Sequence, residues 1–198
     1  YSIHETYAGS GITHCRHETG ICLKQHGYIL AGGKSSRMGE EKGLALYRNK
    51  PLIDYVIEAM QPLCTDLFII SSHPGYTYTG ITQLADRRTA CGPAAGIETM
   101  LYHTDAELNL LAACDMPCMT PDVFHYLLTH RQQADICVPV LEERPEPLLG
   151  CYHSRCLDQW VMLLDDGYRK LSDFLTHFHT TFVDGRFVPG FPDVFTNM

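Results

Sequence analysis

Tyr28-Ile29-Leu30-Ala31-Gly32-Gly33-Lys34-Ser35-Ser36-Arg37-Met38-Gly39-Glu40-Glu41-Lys42 is the stretch on which the reading of this chain turns. Its first four residues are a short apolar run, and the two glycines that follow mark a buried strand passing into a loop. From Leu30 to Lys42 there are three glycines, two serines and three cations within thirteen residues. Glycines let backbone N–H groups curl around an anion. Arg37 can grip phosphate oxygens through two parallel hydrogen bonds, while Lys42 can serve as a mobile point charge. Two other phosphate motifs are excluded. A P-loop needs four residues between its glycines and then Gly-Lys-Ser/Thr; here five separate Gly33 from Gly39, and Glu40 follows. The dinucleotide fingerprint G-x-G-x-x-G is absent as well. The plainer alternative for the segment is a flexible solvated loop.

Working outward, strands and helices alternate. Pro51 to Cys64 carries Leu52, Ile53, Val56, Ile57, Met60 and Leu63 at the three-and-four spacing of an amphipathic helix, with Pro51 suited to its first turn. Strands are expected at Leu67–Ser71 and Ile81–Ala85, and a helix over Pro93–His103 with small residues at its start. Leu108 to Cys114 is almost continuously apolar, as in a strand covered on both faces. Thr120-Pro121-Asp122 supplies an N-cap, a first-turn proline and an early negative charge for a helix running to about Arg131. Strands near 135–141, 147–152 and 180–184 and helices near 155–165 and 168–178 complete the expectation. Such alternation implies an α/β fold, a mostly parallel sheet with helices on both faces. Ligands bind at the carboxyl ends of its strands, so the loops after Leu30 and after Cys114 are the places to search.

Residues 1 to 26 are expected to form an irregular leader, and 27–198 one domain. The leader holds four histidines, and His14, Cys15, His17, Cys22 and His26 follow no zinc spacing. The nine cysteines of the chain are odd in number and scattered, with no C-x-x-C pair, and read as small hydrophobes of a reducing cytoplasm. No apolar run is long enough to span a bilayer, and no secretory signal is read at Tyr1. The net charge of −8 argues against a duplex nucleic acid partner, although local cations can still hold a triphosphate.

The pattern L-A-G-G-x-S-x-R-M-G-x-x-K over residues 30–42 resembles the signature loop of the molybdenum cofactor guanylyltransferases. Lys50-Pro51-Leu52, Asp86 with Cys91-Gly92-Pro93-Ala94-Ala95-Gly96-Ile97, Cys114-Asp115-Met116-Pro117 and Glu146-Pro147-Leu148 resemble further elements of that family, so the likeness covers about residues 28–198. It implies a three-layer, Rossmann-like nucleotidyltransferase fold. It also implies a reaction in which the phosphate of molybdopterin attacks the α-phosphorus of Mg·GTP and pyrophosphate leaves, with molybdoenzymes or their chaperones as recipients of the product.

By the same resemblance Asp115 holds Mg²⁺ and contacts GTP, Lys42 and Arg37 grip the triphosphate, and Asp86 contacts the nucleotide. Leu30, Ala31, Gly32 and Gly33 read base and ribose through their backbone. Each has a plainer reading: Asp115 as a helix cap, Lys42 as a solvated residue beside Glu40 and Glu41, Asp86 as a turn residue. His73, His153, His177 and His179 are expected to be surface or packing residues, because a phosphate monoester is nucleophilic without a base.

Ser71-Ser72 stands where some members carry Asn, and Asn197 matches only the first of two family asparagines, so a substrate-contacting corner is expected to be incomplete. Related cytidylyltransferases tend to show L-A-A-G and C-D-Q-P. Enzymes charging sugar or isoprenoid phosphates place a proline before the lysine. A non-catalytic nucleotide or pterin carrier is the alternative of a different class.

Overall fold

The computed structural model describes residues 24–32 and 41–198. Gly33, Arg37 and the leader's His14, Cys15, His17 and Cys22 therefore lie outside the described residues. In chain order the elements are β1 (Gln25–Leu30), the hairpin strands β2 (Leu46–Tyr47) and β3 (Lys50–Pro51), α1 (Leu52–Met60), β4 (Asp66–Ile70), β5 (Thr82–Leu84), α2 (Pro93–His103), β6 (Leu108–Ala113), α3 (Pro121–His130), β7 (Ile136–Leu141), β8 (Arg144–Pro145), β9 (Leu149–His153), α4 (Leu157–Asp165), α5 (Leu171–Leu175) and β10 (Thr180–Asp184).

The main sheet has the order β10-β7-β9-β6-β1-β4-β5, with β8 paired to β7. β1 runs parallel to both β4 and β6, β4 to β5, and β10 to β7. β9 runs antiparallel to both of its neighbours, β6 and β7. The link from β7 through β8 to β9 is too short for a parallel crossover, which needs a dozen or more residues. The chain turns back instead, and the sheet is mostly parallel.

Alternation along the strands divides the core into two. Ile29 of β1 packs with Ile53, Val56 and Met60 of α1 and with Val123, Phe124 and Leu127 of α3. Tyr28 and Leu30 pack on the other face with Ala94, Ile97 and Met100 of α2, Trp160 of α4 and Phe174 of α5. Helices therefore cover both faces, giving three layers. Each such fully buried side chain contributes about 1.5–3 kcal/mol of hydrophobic stabilisation. Every residue of β6 is buried, as its apolar run predicts. Its one polar member, Asn109, is satisfied: Nδ2 donates to the Tyr152 carbonyl at 3.3 Å and Oδ1 accepts from Thr104 at 2.6 Å.

Some boundaries differ from expectation. β1 begins at Gln25, so Gln25 and His26, assigned to the leader, belong to the sheet; the register His26↔Asp66 and His26↔Asn109 captures them. Polar character hid this, since His26 is 3% exposed. Pro51 pairs in β3 and precedes α1 rather than opening it. Thr120 occupies the cap position of α3 with extended backbone, but its hydroxyl makes no capping bond. The helix expected over 168–178 is only Leu171–Leu175.

The order of the strands reverses at β1. The chain passes from β1 to β4 and β5 on one side, then α2 carries it across to β6 on the other. That reversal opens a crevice at the carboxyl ends of β1 and β6, where doubly wound sheets bind ligands.

Candidate active site

The floor of the crevice is the exit of β1. The Ala31 N–H donates to the Ile70 carbonyl and the Cys114 N–H donates to the Leu30 carbonyl, both at 3.0 Å. These bonds tie β1 to the ends of β4 and β6. Beyond them, the Ala31 carbonyl and both backbone groups of Gly32 are held by no described residue, and Gly32 is exposed.

On the α1–α3 side stand Lys42 and Asp115. Asp115 follows the buried end of β6, and its side chain is 12% exposed. The Lys42 amine donates to Asp115 Oδ2 at 3.1 Å while its side chain stays half exposed. What brings the lysine here is its neighbour: a Cβ added to Gly43 would lie 2.6 Å from the Tyr76 hydroxyl and 3.1 Å from Cys114 Sγ. Only glycine lets the backbone lie this low over the end of β6. Glu41, on the other side of Lys42, accepts a hydrogen bond from the Tyr76 hydroxyl at 3.2 Å.

On the α2 side stands Asp86. Gly92 takes a positive φ of 59°, which turns the chain sharply into α2. A Cβ on Gly96 would meet Leu30 Cδ2 at 2.7 Å and Asp86 Oδ1 at 3.6 Å. Asp86 thus leans over the first turn of α2 beside Leu30, and burial raises its carboxyl above the ordinary aspartate value. The loop that follows is pinned by Arg88, whose Nε donates to both oxygens of the buried Glu98 at 2.8 and 3.0 Å and whose Nη1 donates to Asp165 at 2.5 Å.

Glu146-Pro147-Leu148 forms the break between β8 and β9, and Leu149 pairs with Ala112 near the end of β6. This places Glu146 toward the same end of the sheet as Asp115, with burial raising its carboxyl too. The chain end arrives at the same place: the Met198 N–H donates to the Asp115 carbonyl at 3.3 Å.

The structure thus brings Leu30, Ala31, Gly32, Lys42, Asp86 and Asp115 to one edge of the sheet. The histidines stand apart in packing roles: Nδ1 of His73 and of His153 each accepts from the backbone N–H two residues on, at 3.1 Å. Burial pushes the Cys114 thiol up to about 12, with Asp115 and Glu41 adding to the effect; a thiol held this firmly protonated is no nucleophile. Cys137, Cys151 and Cys156 are buried core residues. Glu41, Gly43, Tyr76 and Arg88 were not singled out in the sequence. Glu41 and Gly43 flank Lys42, but Tyr76 and Arg88 carry no local pattern.

The oxygen chemistry of Asp115 suits a hard divalent cation. Among the described residues no group of three or more His, Cys, Asp or Glu could enclose a metal. One or two carboxylates completed by water and phosphate is the manner in which Mg²⁺ is bound, and the residues present fit it.

The sequence profile of the MobA-like NTP transferase domain matches residues 27–181. The chain belongs to the MobA-like NTP transferase family. Among its relatives is a Flavobacterium johnsoniae protein named Probable molybdenum cofactor guanylyltransferase, 34% identical over 75% of this chain and 78% of that protein. A Halalkalibacterium halodurans protein of the same name is 33% identical over 83% of this chain and 87% of its own length. The crystal structure of molybdopterin-guanine dinucleotide biosynthesis protein A from Archaeoglobus fulgidus superposes with a TM-score of 0.73, at 24% identity, over 87% of this chain and 91% of that one. As a MobA-like transferase the chain is a nucleotidyltransferase, and the crevice at β1 and β6 is where its candidate residues meet. Among the described residues no helix is long and apolar enough to cross a membrane.

Proposed function

We propose that the protein transfers GMP from GTP to the phosphate of molybdopterin, forming molybdopterin guanine dinucleotide and pyrophosphate. The observation that carries this reading is the Lys42–Asp115 pair, 3.1 Å apart at the switch point of the sheet, in a chain whose relatives bear the name guanylyltransferase. The nucleotide lies across the end of β1. Its base and ribose face Leu30, Ala31 and Gly32 on the Asp86 side, with Gly33 assigned to the same backbone set, and its phosphates face Lys42 and Asp115. The Ala31 carbonyl can accept from the guanine N–H groups and the Gly32 N–H can donate to its carbonyl oxygen, a pattern that main-chain groups supply without any side chain.

An oxygen of the molybdopterin phosphate forms the new bond to the α-phosphorus as the bond to the β-phosphate oxygen breaks, and pyrophosphate departs with the electron pair. The attacking group is an ionised phosphate monoester, so no side chain has to remove a proton. Lys42, with Arg37 from the loop, counters charge that grows on the leaving pyrophosphate, and the pinned strand ends supply the alignment. Asp115 would hold Mg²⁺, which when bound would offset negative charge on the phosphates. Glu146 and the chain end border the side from which the acceptor enters. The reading includes a cytoplasmic location, where reduced buried thiols such as Cys137 and Cys151 persist. It also includes molybdoenzymes or their chaperones as recipients.

Pyrophosphate release with molybdopterin, Mg²⁺ and either GTP, CTP or ATP tests the reading. Release with GTP alone, lost in Asp115→Asn, is expected. Preference for CTP would keep the mechanism and overturn the base. Binding of GTP without turnover would favour a carrier.

A further inference from the structure

We propose that Tyr76 and Glu41 are a positioning pair for Lys42, gripping the nucleotide loop on both sides of its phosphate lysine. The proposal deepens the reading above and rests on Lys42 as the phosphate-binding group.

Tyr76 is fully buried, on the short 3₁₀ turn Pro74–Thr79 that follows β4. That turn is itself fixed: His73 Nδ1 accepts from the Gly75 N–H at 3.1 Å, and the Thr79 hydroxyl donates to the Tyr76 carbonyl at 2.8 Å. A buried tyrosine hydroxyl needs a partner. Tyr76 finds it in Glu41 Oε1 at 3.2 Å, on the residue before Lys42. Its hydroxyl also lies where a Cβ of Gly43, the residue after Lys42, would come within 2.6 Å. One rigid side chain therefore fixes residue 41 by a hydrogen bond and residue 43 by close packing. The lysine between them has its backbone held and its amine left 3.1 Å from Asp115.

The same bond serves electrostatics. A carboxylate beside a triphosphate lysine would repel the phosphates if it swung toward them. Tyr76 ties it down through that hydrogen bond.

The bond is tested by substitutions that keep volume. Tyr76→Phe keeps the ring and loses only the hydroxyl. Glu41→Gln keeps an acceptor for the hydroxyl, and Glu41→Ala removes it without touching the core. Tyr76→Phe and Glu41→Ala are expected to slow guanylyl transfer by about tenfold to a hundredfold, the scale of a small misplacement of a reacting group. Glu41→Gln is expected to recover most of that loss. In calorimetric titrations with Mg·GTP, Tyr76→Phe should weaken binding in the native background and weaken it no further once Lys42→Ala is present. Losses that simply multiply would overturn the proposal, because the pair would then act by another route.

A second readout needs no nucleotide. In the ligand-free protein the Lys42 Cε–Hε resonance, identified by its absence in Lys42→Arg, should move to the position of freely mobile lysines in both Tyr76→Phe and Glu41→Ala. An unmoved resonance overturns the positioning role, whatever the enzyme assay shows. A moved resonance in a protein that neither binds nor turns over GTP leaves the positioning intact and removes the guanylyl transfer reading. Should Tyr76→Phe fail to fold, the Glu41 variants carry both measurements.

Discussion

The amine of Lys42 and the carboxylate of Asp115 meet at 3.1 Å across a sequence separation of 73 residues. Asp115 follows the end of β6, the strand that pairs in parallel with β1, so the contact brings Lys42 to the carboxyl end of the sheet. Because the lysine is half exposed, the pair is worth no more than about 1 kcal/mol to the fold. Lys42→Ala is therefore expected to lower the melting temperature by only about 2–4 °C. It should cut guanylyl transfer by about a hundredfold or more, since it removes charge stabilisation from the transition state. Melting curves and pyrophosphate release measured side by side distinguish the two. Losses in step with each other would make the pair a structural one.

Asp86→Asn separates nucleotide contact from stability. Asp86 is exposed, so its charge contributes little to the fold. The isosteric amide should leave the urea midpoint unchanged, while GTP affinity falls by about tenfold. Unchanged affinity would remove Asp86 from the nucleotide site.

Two glycines should respond differently to the same added methyl group. At Gly96 the new Cβ meets the tip of the Leu30 side chain at 2.7 Å, which can rotate away. At Gly150 it meets the Cys137 carbonyl at 2.8 Å, which belongs to the sheet and cannot. Gly150→Ala should cost about 3 kcal/mol and Gly96→Ala about 1 kcal/mol. Gly96→Ala should weaken GTP binding more than its stability loss suggests, because Leu30 and Asp86 are what it displaces. Denaturant unfolding with GTP titration checks both; equal unfolding costs would contradict the packing described here.

Acid should weaken the protein through His26. Its imidazole is buried at the foot of β1. Nδ1 lies 3.3 Å from the Thr104 hydroxyl, whose proton goes to Asn109, so Nδ1 must donate. Among the described residues Nε2 has no hydrogen-bond partner, although Asp66 and Asp105 oxygens stand 3.2 and 3.5 Å away. Burial lowers the His26 pKa below 6.5; the two aspartates oppose this, and Lys24 and His103 add to it. The unfolded chain therefore binds the proton more readily, and stability rises with pH through the window just below 6.5. Urea midpoints measured downward from pH 7 should fall through that window, and His26→Gln should flatten part of the fall. His153, lowered chiefly by burial and then by Arg155, contributes in the same direction. An unaltered slope in His26→Gln would refute the assignment.

Much of the fold was legible in the sequence because its signals are local. The apolar run of β6, the periodicity of α1 and the Gly-Pro entry to α2 each depend on residues near one another in the chain, and Pro93–His103 was met at both ends. The phosphate loop was legible for the same reason: glycines, hydroxyls and cations close together after a strand need no distant partner to be recognised. His26 was less legible, since a polar residue becomes a strand member only when neighbouring strands accept it.

By itself, then, the sequence determined the alternating elements and the two-faced sheet, and it offered Lys42, Asp86 and Asp115 as candidates. Tertiary structure decided the rest. It set the reversed β9, which follows from a short connection. It set the order of strands about β1, and with it the crevice. It also joined Tyr76 to Glu41 and Arg88 to Glu98. Such pairings depend on which surfaces come together when apolar faces are buried, and a side chain's partner across tens of residues leaves no periodicity to read.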